Sequence, residues 1–469
     1  MPLDIRALIS AHAGEASALY EAHVNPRLAK ALRLIGFDRC YVKGSGPYLW
    51  DSNGRRYLDM LAGYGVFNTG RNHPAIRQAL IDFMMADAAS LVQMETPILC
   101  GLLARELKRR CERDLERVYF CSTGAEATET AMKFARRATG RSRILYASRS
   151  FHGLTTGALS VNGCDVFRDG FGPLPFASQV PFGDPEALEA ALSEGDVAAF
   201  IVEPVQGKGV RIPPPGYLAE ASRLCRHHGA LLICDEVQCG IGRTGRFLAL
   251  HHDGAVQPDM ILLSKALSGG YVPLAAVLMQ RSIFDAVFTS VDRAVVHSST
   301  FGKSSFAMAA GLATLSVMDE EDLTGNAARL GDRLGKGLVA IAARHEFIQD
   351  VRWRGLMLGI EFGRPRSLKL RTAWNAVSAL NEDLFCQAVT IPLLEDHGIL
   401  TQVAGNRMST IKLTPPLVIT AADVDAFLGA FDTVMSSLHG FPGPAWESLF
   451  RIGRNVLSSN SSPNRKATA

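Results

Sequence analysis

The sequence predicts an α/β architecture: a large domain on a mainly parallel sheet flanked by helices, with a smaller α+β domain built from both ends of the chain. Three observations lead there. From about Pro74 onward, short apolar runs alternate with helical stretches, the pattern of βαβ units. Several of those runs stop abruptly at polar or charged residues. The patterning before residue 75 and after residue 325 differs from that of the middle. The expected division is 1–75 and 326–457 for the smaller domain, 76–325 for the larger one, and a disordered tail over 458–469.

The elements follow in order. Residues 4–35 read as amphipathic helix with breaks. Residues 44–59 alternate polar and apolar side chains around Asp51-Ser52-Asn53-Gly54. Asn53-Gly54 marks a hairpin turn, because both residue types tolerate positive φ. The apolar run 118–121 leads into Ser122-Thr123-Gly124, and 200–202 leads into Glu203. The run 231–234 ends at Asp235-Glu236, and 260–263 ends at Ser264-Lys265. In open α/β sheets, ligands bind in the crevice beyond the carboxyl ends of the strands. Separate stretches of chain therefore converge on one place. Beyond residue 325, a long helical stretch leads to 351–361, which reads as a turn into a strand. A further short strand over 411–417 is cut by Pro415-Pro416. No internal repeat is evident.

Composition narrows the class. With 469 residues, 47% of them hydrophobic, the chain is long enough for two or three domains. A net charge of +3 with 20% charged residues gives no reason to expect nucleic acid or a membrane surface as partner. Nine scattered cysteines, mostly in apolar runs and without a CxxC pair, read as reduced thiols rather than as disulfides or a metal site. Asp4, Glu15 and Glu21 interrupt the first segment, so no secretory pattern is seen. No apolar stretch approaches the roughly 18 residues of a spanning helix. A cytoplasmic protein is expected.

Four positions carry candidate chemistry. Lys265 follows a buried run, where an amine loses its charge more readily and can attack a carbonyl. The same local sequence also suits a structural lysine that reaches water along its apolar stem. Asp235 ends an apolar strand, where a carboxylate stays ionised only beside a cation such as a protonated pyridine ring. A helix-capping acid is the simpler alternative. Thr123 and Glu126 have capping-box spacing, and Gly124-Ala125 open a helix whose free amides attract anions. Phe151, before His152-Gly153, is an aromatic that could stack on a cofactor ring or simply pack in the core.

Taken together, these segments resemble the class III aminotransferases, which have the fold type I architecture and use pyridoxal 5'-phosphate. The resemblance covers about residues 41–427. It rests on Gly70-Arg71-Asn72-His73-Pro74, Ser122-Thr123-Gly124-Ala125-Glu126, Ser150-Phe151-His152-Gly153, Val202-Glu203-Pro204-Val205-Gln206-Gly207 and Asp235-Glu236-Val237-Gln238. Gly242-Arg243-Thr244-Gly245, Pro258-Asp259, Ser264-Lys265-Ala266-Leu267 and Ser299-Thr300-Phe301-Gly302 complete it. The resemblance implies that Lys265 carries the cofactor covalently and shuttles a proton. Asp235 would pair with the pyridine nitrogen, and Val237 and Phe151 would sandwich the ring. Gln238 would contact the ring hydroxyl, His152 would join the cofactor site, and the Gly124 and Ala125 amides would bind phosphate. Thr300 would reach the phosphate in a second copy's site, so a homodimer is implied.

Departures from the family pattern bear on the substrate. Ornithine and acetylornithine members commonly have arginine after Phe-His-Gly, where it grips an α-carboxylate; here Leu154 occupies that position. Lys412 stands where those members have arginine before the late Pro-Pro, keeping the charge but losing the bidentate fork. The resemblance implies that Glu203 pairs with Lys412 and swings aside between half-reactions; a fixed ion pair is the alternative. Lys303 replaces a glycine of the family pattern, near the phosphate or the entrance, or simply solvated. The expected donors are ornithine, putrescine or glutamate. The expected acceptors are a keto acid such as 2-oxoglutarate, or an aldehyde of a lipid or secondary metabolite such as a hopanoid side chain. An aminomutase, racemase or decarboxylase on the same scaffold, or a non-catalytic regulatory relative, stand as rivals.

Overall fold

The structure is a computed structural model that describes residues 3–380, 384–405, 408–440, 443 and 446. The tail from Ser458 lies outside the described residues. The centre is a seven-stranded sheet. Its spatial order is Arg117–Cys121, Ala275–Met279, Met260–Leu263, Leu231–Asp235, Val197–Val202, Arg143–Ala147 and Ala177–Val180. All of its strands run parallel except Ala275–Met279, which is antiparallel to both neighbours.

Both faces of this sheet are covered, and the side chains beyond Ala198 show it by alternation. Phe200, Val202, Leu232 and Cys234 enter one buried cluster with Leu103 and Leu107 of helix Ile98–Cys111. Ala199, Ile201 and Ile233 enter another with Ala131 and Phe134 of helix Gly124–Thr139. Every residue of Val197–Val202 is buried. Side chains at the strand ends thus emerge from a sealed core into one crevice.

Two smaller sheets stand beside it. Tyr41–Ser45, Tyr48–Asp51 and Arg56–Asp59 form an antiparallel meander, and Ile399–Leu400 adds in parallel to its last strand. The hairpin turn falls at Asn53-Gly54, as the sequence indicates: Gly54 has φ 79°, and Asp51 accepts from the Asn53 and Arg55 amides. The third sheet has the order Ile348–Arg354, Met357–Phe362, Thr410–Leu413, Gln402–Val403. Residues 4–35 form three helices, Ile5–His12, Ala16–His23 and Pro26–Leu34. Asp4 and Asn25 cap the first and third. No helix among the described residues is long and apolar enough to cross a membrane.

Two readings are corrected. Residues 351–361 are not a turn into one strand but most of a hairpin, with Arg354 opposite Met357. Gly355 makes the reversal, at φ 52°. The strand expected over 411–417 ends at Leu413, and the two prolines after it have no N–H for a ladder. Arg243 ties these parts together from a fully buried position. Its guanidinium donates to the Leu356 carbonyl at 2.9 Å, to the Pro415 carbonyl and to Asn68 Oδ1.

A Cβ on Gly355 would sit 2.4 Å from the Thr244 carbonyl carbon and 2.6 Å from the Gly245 nitrogen. Backbone strain and a backbone clash therefore coincide at this position. Gly355→Ala is expected to destabilise the fold by more than about 2 kcal/mol. A lowered urea midpoint with an unchanged slope checks this.

Candidate active site

A cavity of about 650 Å³ opens at the carboxyl edge of the central sheet. Gly124, Ala125, Phe151, His152, Leu154, Glu203, Asp235, Val237, Gln238, Lys265 and Lys412 all line it. They come from six separate stretches of chain. Thr300 is not among them and lies on the surface of its own chain, as does Lys303.

The helix Gly124–Thr139 starts at this edge. Thr123 Oγ1 accepts from the Glu126 amide, and Glu126 Oε2 accepts from the Ser122 and Thr123 amides. The capping box thus satisfies the amides around the turn and leaves those of Gly124 and Ala125 at the open helix end. A Cβ on Gly124 would lie 3.1 Å from Val237 Cγ1. Glycine permits this close approach of the helix start to the cavity floor.

Asp235 is buried, and both its oxygens are engaged. Oδ1 accepts from the Val237 amide at 2.9 Å, and Oδ2 lies 2.7 Å from His152 Nδ1. Burial alone would lower the His152 pKa; the carboxylates of Asp235 and Glu203 outweigh it and raise the pKa. Glu236 turns to the other side of the strand end. Its carboxylate accepts from the Ala249 and Leu250 amides, and burial pushes its pKa up to about 7.

Lys265 has φ 46°, an unusual backbone for a side-chain-bearing residue. Burial lowers its pKa, against the opposing pull of Asp235 and Glu203. A neutral, nucleophilic amine is therefore closer at hand than at the surface.

The expected direct pair of Glu203 and Lys412 is absent: no contact within ion-pair distance joins them. Glu203 accepts from the Phe151 amide at 3.0 Å and the Gly207 amide at 2.8 Å. Lys412 Nζ donates to the Gly207 carbonyl at 3.0 Å and to Gln238 Oε1 at 3.3 Å. The Gly207 residue thus stands between acid and base, bonded through its N–H to one and its C=O to the other. A Cβ there would lie 2.3 Å from Gln238 Oε1, so a larger residue would have to push the Gln238 amide away from Lys412. Burial raises the Glu203 pKa. Burial, reinforced by the charge of Lys265, lowers that of Lys412 to about 7.

The sequence reading missed several cavity residues. Tyr64 has φ 62°, and its carbonyl accepts from Gln238 Nε2 at 2.7 Å. Its glycine-rich setting, Ala62-Gly63-Tyr64-Gly65, was a usable signal. Leu32, Ile35, Phe37, Phe167 and Val403 line the cavity with no local mark of function, as does Lys208.

The family model described as Aminotransferase class-III matches residues 35–435. The chain belongs to this family. It is 36% identical to the aminotransferase PigE of a Serratia species over 90% of its own length, and it spans about half (53%) of that relative. Among solved structures, an ornithine aminotransferase of Toxoplasma gondii with partial occupancy of PLP shares 32% identity. The match covers 85% of this chain and 90% of that one, with a TM-score of 0.75. An acetylornithine aminotransferase of Elizabethkingia anophelis shares 31% identity over 90% and 99%, at 0.70.

Class III aminotransferases use pyridoxal 5'-phosphate, and this chain's cofactor is the same. The cavity suits it: an aspartate at the floor, a lysine at a strand end, flat-sided Phe151 and branched Val237 on the walls, and a capped helix opening toward it.

The depressed Lys412 pKa sets a pH dependence. Between about 7 and the ordinary 10.5 the unfolded chain binds more protons at this position than the folded one. Stability therefore rises with pH across that window, and the cost of the buried ammonium is present in full below it. In cofactor-stripped protein, Lys412→Met is expected to gain on the wild type at about pH 6 and to lose that gain by about pH 10. Urea midpoints of both proteins at the two pH values test it.

Proposed function

We propose that the chain is a transaminase that moves an amino group from an amine or amino acid donor to a keto acid or aldehyde acceptor. The order is ping-pong, with the oxo product of the donor leaving before the acceptor binds. The observation that carries this reading is the convergence of Lys265, Asp235 and the Gly124–Ala125 helix start on one cavity. Each comes from a different strand end.

Pyridoxal phosphate supplies a reactive carbonyl carbon and a ring that draws electrons from the donor's amine-bearing carbon. Lys265 would hold the cofactor covalently, and once the donor amine displaces it, its freed Nζ would take up the proton from that donor carbon and return it. Asp235 would stabilise a positive charge on the pyridine nitrogen, and His152 steadies the Asp235 carboxylate. Phe151 and Val237 would flank the ring, Gln238 would contact the ring hydroxyl, and the amides of Gly124 and Ala125 would hold the phosphate. Glu203 and Lys412 act through the Gly207 peptide, shaping the substrate side.

The active form is a cytoplasmic homodimer in which Thr300 serves a second copy's site. Its exposure outside its own chain's cavity supports that reading. One feature favours a substrate with an apolar body, such as a lipid or secondary-metabolite aldehyde. Leu32, Ile35, Phe37, Leu154, Phe167 and Val403 give the cavity an apolar wall. Ornithine, glutamate or putrescine would then be the donor.

Purified protein loaded with the cofactor is expected to transfer nitrogen from such a donor only when an acceptor is supplied. Sustained turnover without an acceptor, beyond one product per cofactor, would instead indicate a mutase, racemase or decarboxylase. Borohydride is expected to fix the cofactor to wild type but not to Lys265→Ala. That variant should lose roughly 10²–10⁴-fold in transamination rate.

A further inference from the structure

Three lysines line the cavity: Lys208, Lys265 and Lys412. Lys412 is bonded to the Gly207 carbonyl and Gln238 Oε1. Lys265 is assigned to the cofactor. Lys208 has no such occupation. Its Nζ is shielded from solvent and has no hydrogen-bond partner among the described residues. The ammonium lies 3.8 Å from the centre of the Phe167 ring and 5.0 Å from that of Phe151.

Two aromatic faces orient an ammonium and recover part of its lost hydration. They do not satisfy its three N–H donors, and a buried donor without an acceptor costs free energy. The nearby acids make their bonds elsewhere: Glu203 accepts from the Phe151 and Gly207 amides, and Asp235 is held by His152 and the Val237 amide. The positive charges also crowd one another: Lys265 and Lys208 both help to depress the Lys412 pKa. The substrate end of the cavity therefore has one lysine amine facing no protein acceptor. Leu154, on the same cavity, supplies no charge.

We propose that Lys208, clamped between Phe151 and Phe167, binds the carboxylate of an amino acid donor. The inference rests on the transaminase reading and deepens it: the donor is an amino acid, while the apolar wall accommodates the body of the other substrate. Lys208 positions the donor through its charge and takes no proton from it.

The test uses cofactor-loaded wild type, Lys208→Met and Lys208→Arg. The ratio of kcat/KM for L-ornithine to that for putrescine, a diamine without a carboxylate, should fall about tenfold or more in Lys208→Met. The loss should lie in KM. A tenfold change equals about 1.4 kcal/mol, at the low end for a hydrogen bond to a charged group. Lys208→Arg should restore much of the ratio. Succinate, a dicarboxylate that cannot react, should bind wild type and bind Lys208→Met about tenfold more weakly by calorimetric titration.

An unchanged ratio in Lys208→Met overturns the proposal. So does a loss of affinity for pyridoxal phosphate with the ratio preserved, which would make Lys208 a cofactor counter-ion. Absence of succinate binding to wild type overturns it too. If wild type binds succinate through Lys208 yet transfers no amino group, the transaminase reading fails and the carboxylate site stands.

Discussion

Asp235 closes a parallel strand buried from Leu232 onward, so its carboxylate has left water before any ligand arrives. A buried carboxylate needs partners, and here they come from two loops. The Val237 amide fixes one oxygen, and His152 Nδ1 fixes the other. These bonds set the positions of Val237 and of the residue beside His152, Phe151. Removing either partner of such a buried pair costs roughly 3–5 kcal/mol, because the remaining charge is left uncompensated. The next residue uses the opposite side of the strand end. Glu236 anchors the segment around Ala249 and Leu250, so one acidic dipeptide organises both the cavity floor and the structure behind it.

What was legible in the sequence was mostly local. A buried parallel strand shows as an unbroken apolar run, and its end shows where the run meets charge. Thr123, Gly124 and Glu126 announced a helix start through side chains that bond only three residues away. The antiparallel strand Ala275–Met279 was missed, because an apolar run does not say in which direction it pairs. The hairpin at Gly355 was taken for a single strand, since its turn needs only one glycine. Lys208 stands immediately after a legible motif. Nothing nearby in sequence tells whether it is solvated or caught between Phe151 and Phe167, which different loops deliver.

The acid and base of the substrate side illustrate a limit of reading charges in pairs. The family resemblance implied a direct bridge between Glu203 and Lys412, which have opposite signs and line one cavity. The structure places a peptide between them. A carboxylate that accepts two backbone amides and an ammonium that donates to a backbone carbonyl each keep their own bonds. Neither depends on the other's ionisation for a partner. Moving Glu203 would free the Phe151 and Gly207 amides at once. A swing of the Glu203 side chain would therefore have to offset the loss of both bonds.

Lys265 concentrates a different cost. Its backbone sits at φ 46°, where a residue with a Cβ is disfavoured by roughly 1–2 kcal/mol. The surrounding turn offsets this. Ser264 Oγ donates to the Leu274 carbonyl, and the Leu267 and Gly269 amides close the turn on Ser264 and Ala266. Gly269 packs so closely that a Cβ would meet Ile76 at 2.8 Å. The strain thus falls on the residue whose side chain must face the cavity, and rigid packing on both sides keeps it there. A relaxed backbone at Lys265 would redirect its Cβ. The same sheet could then bury the same core, while the amine lost its alignment with Asp235.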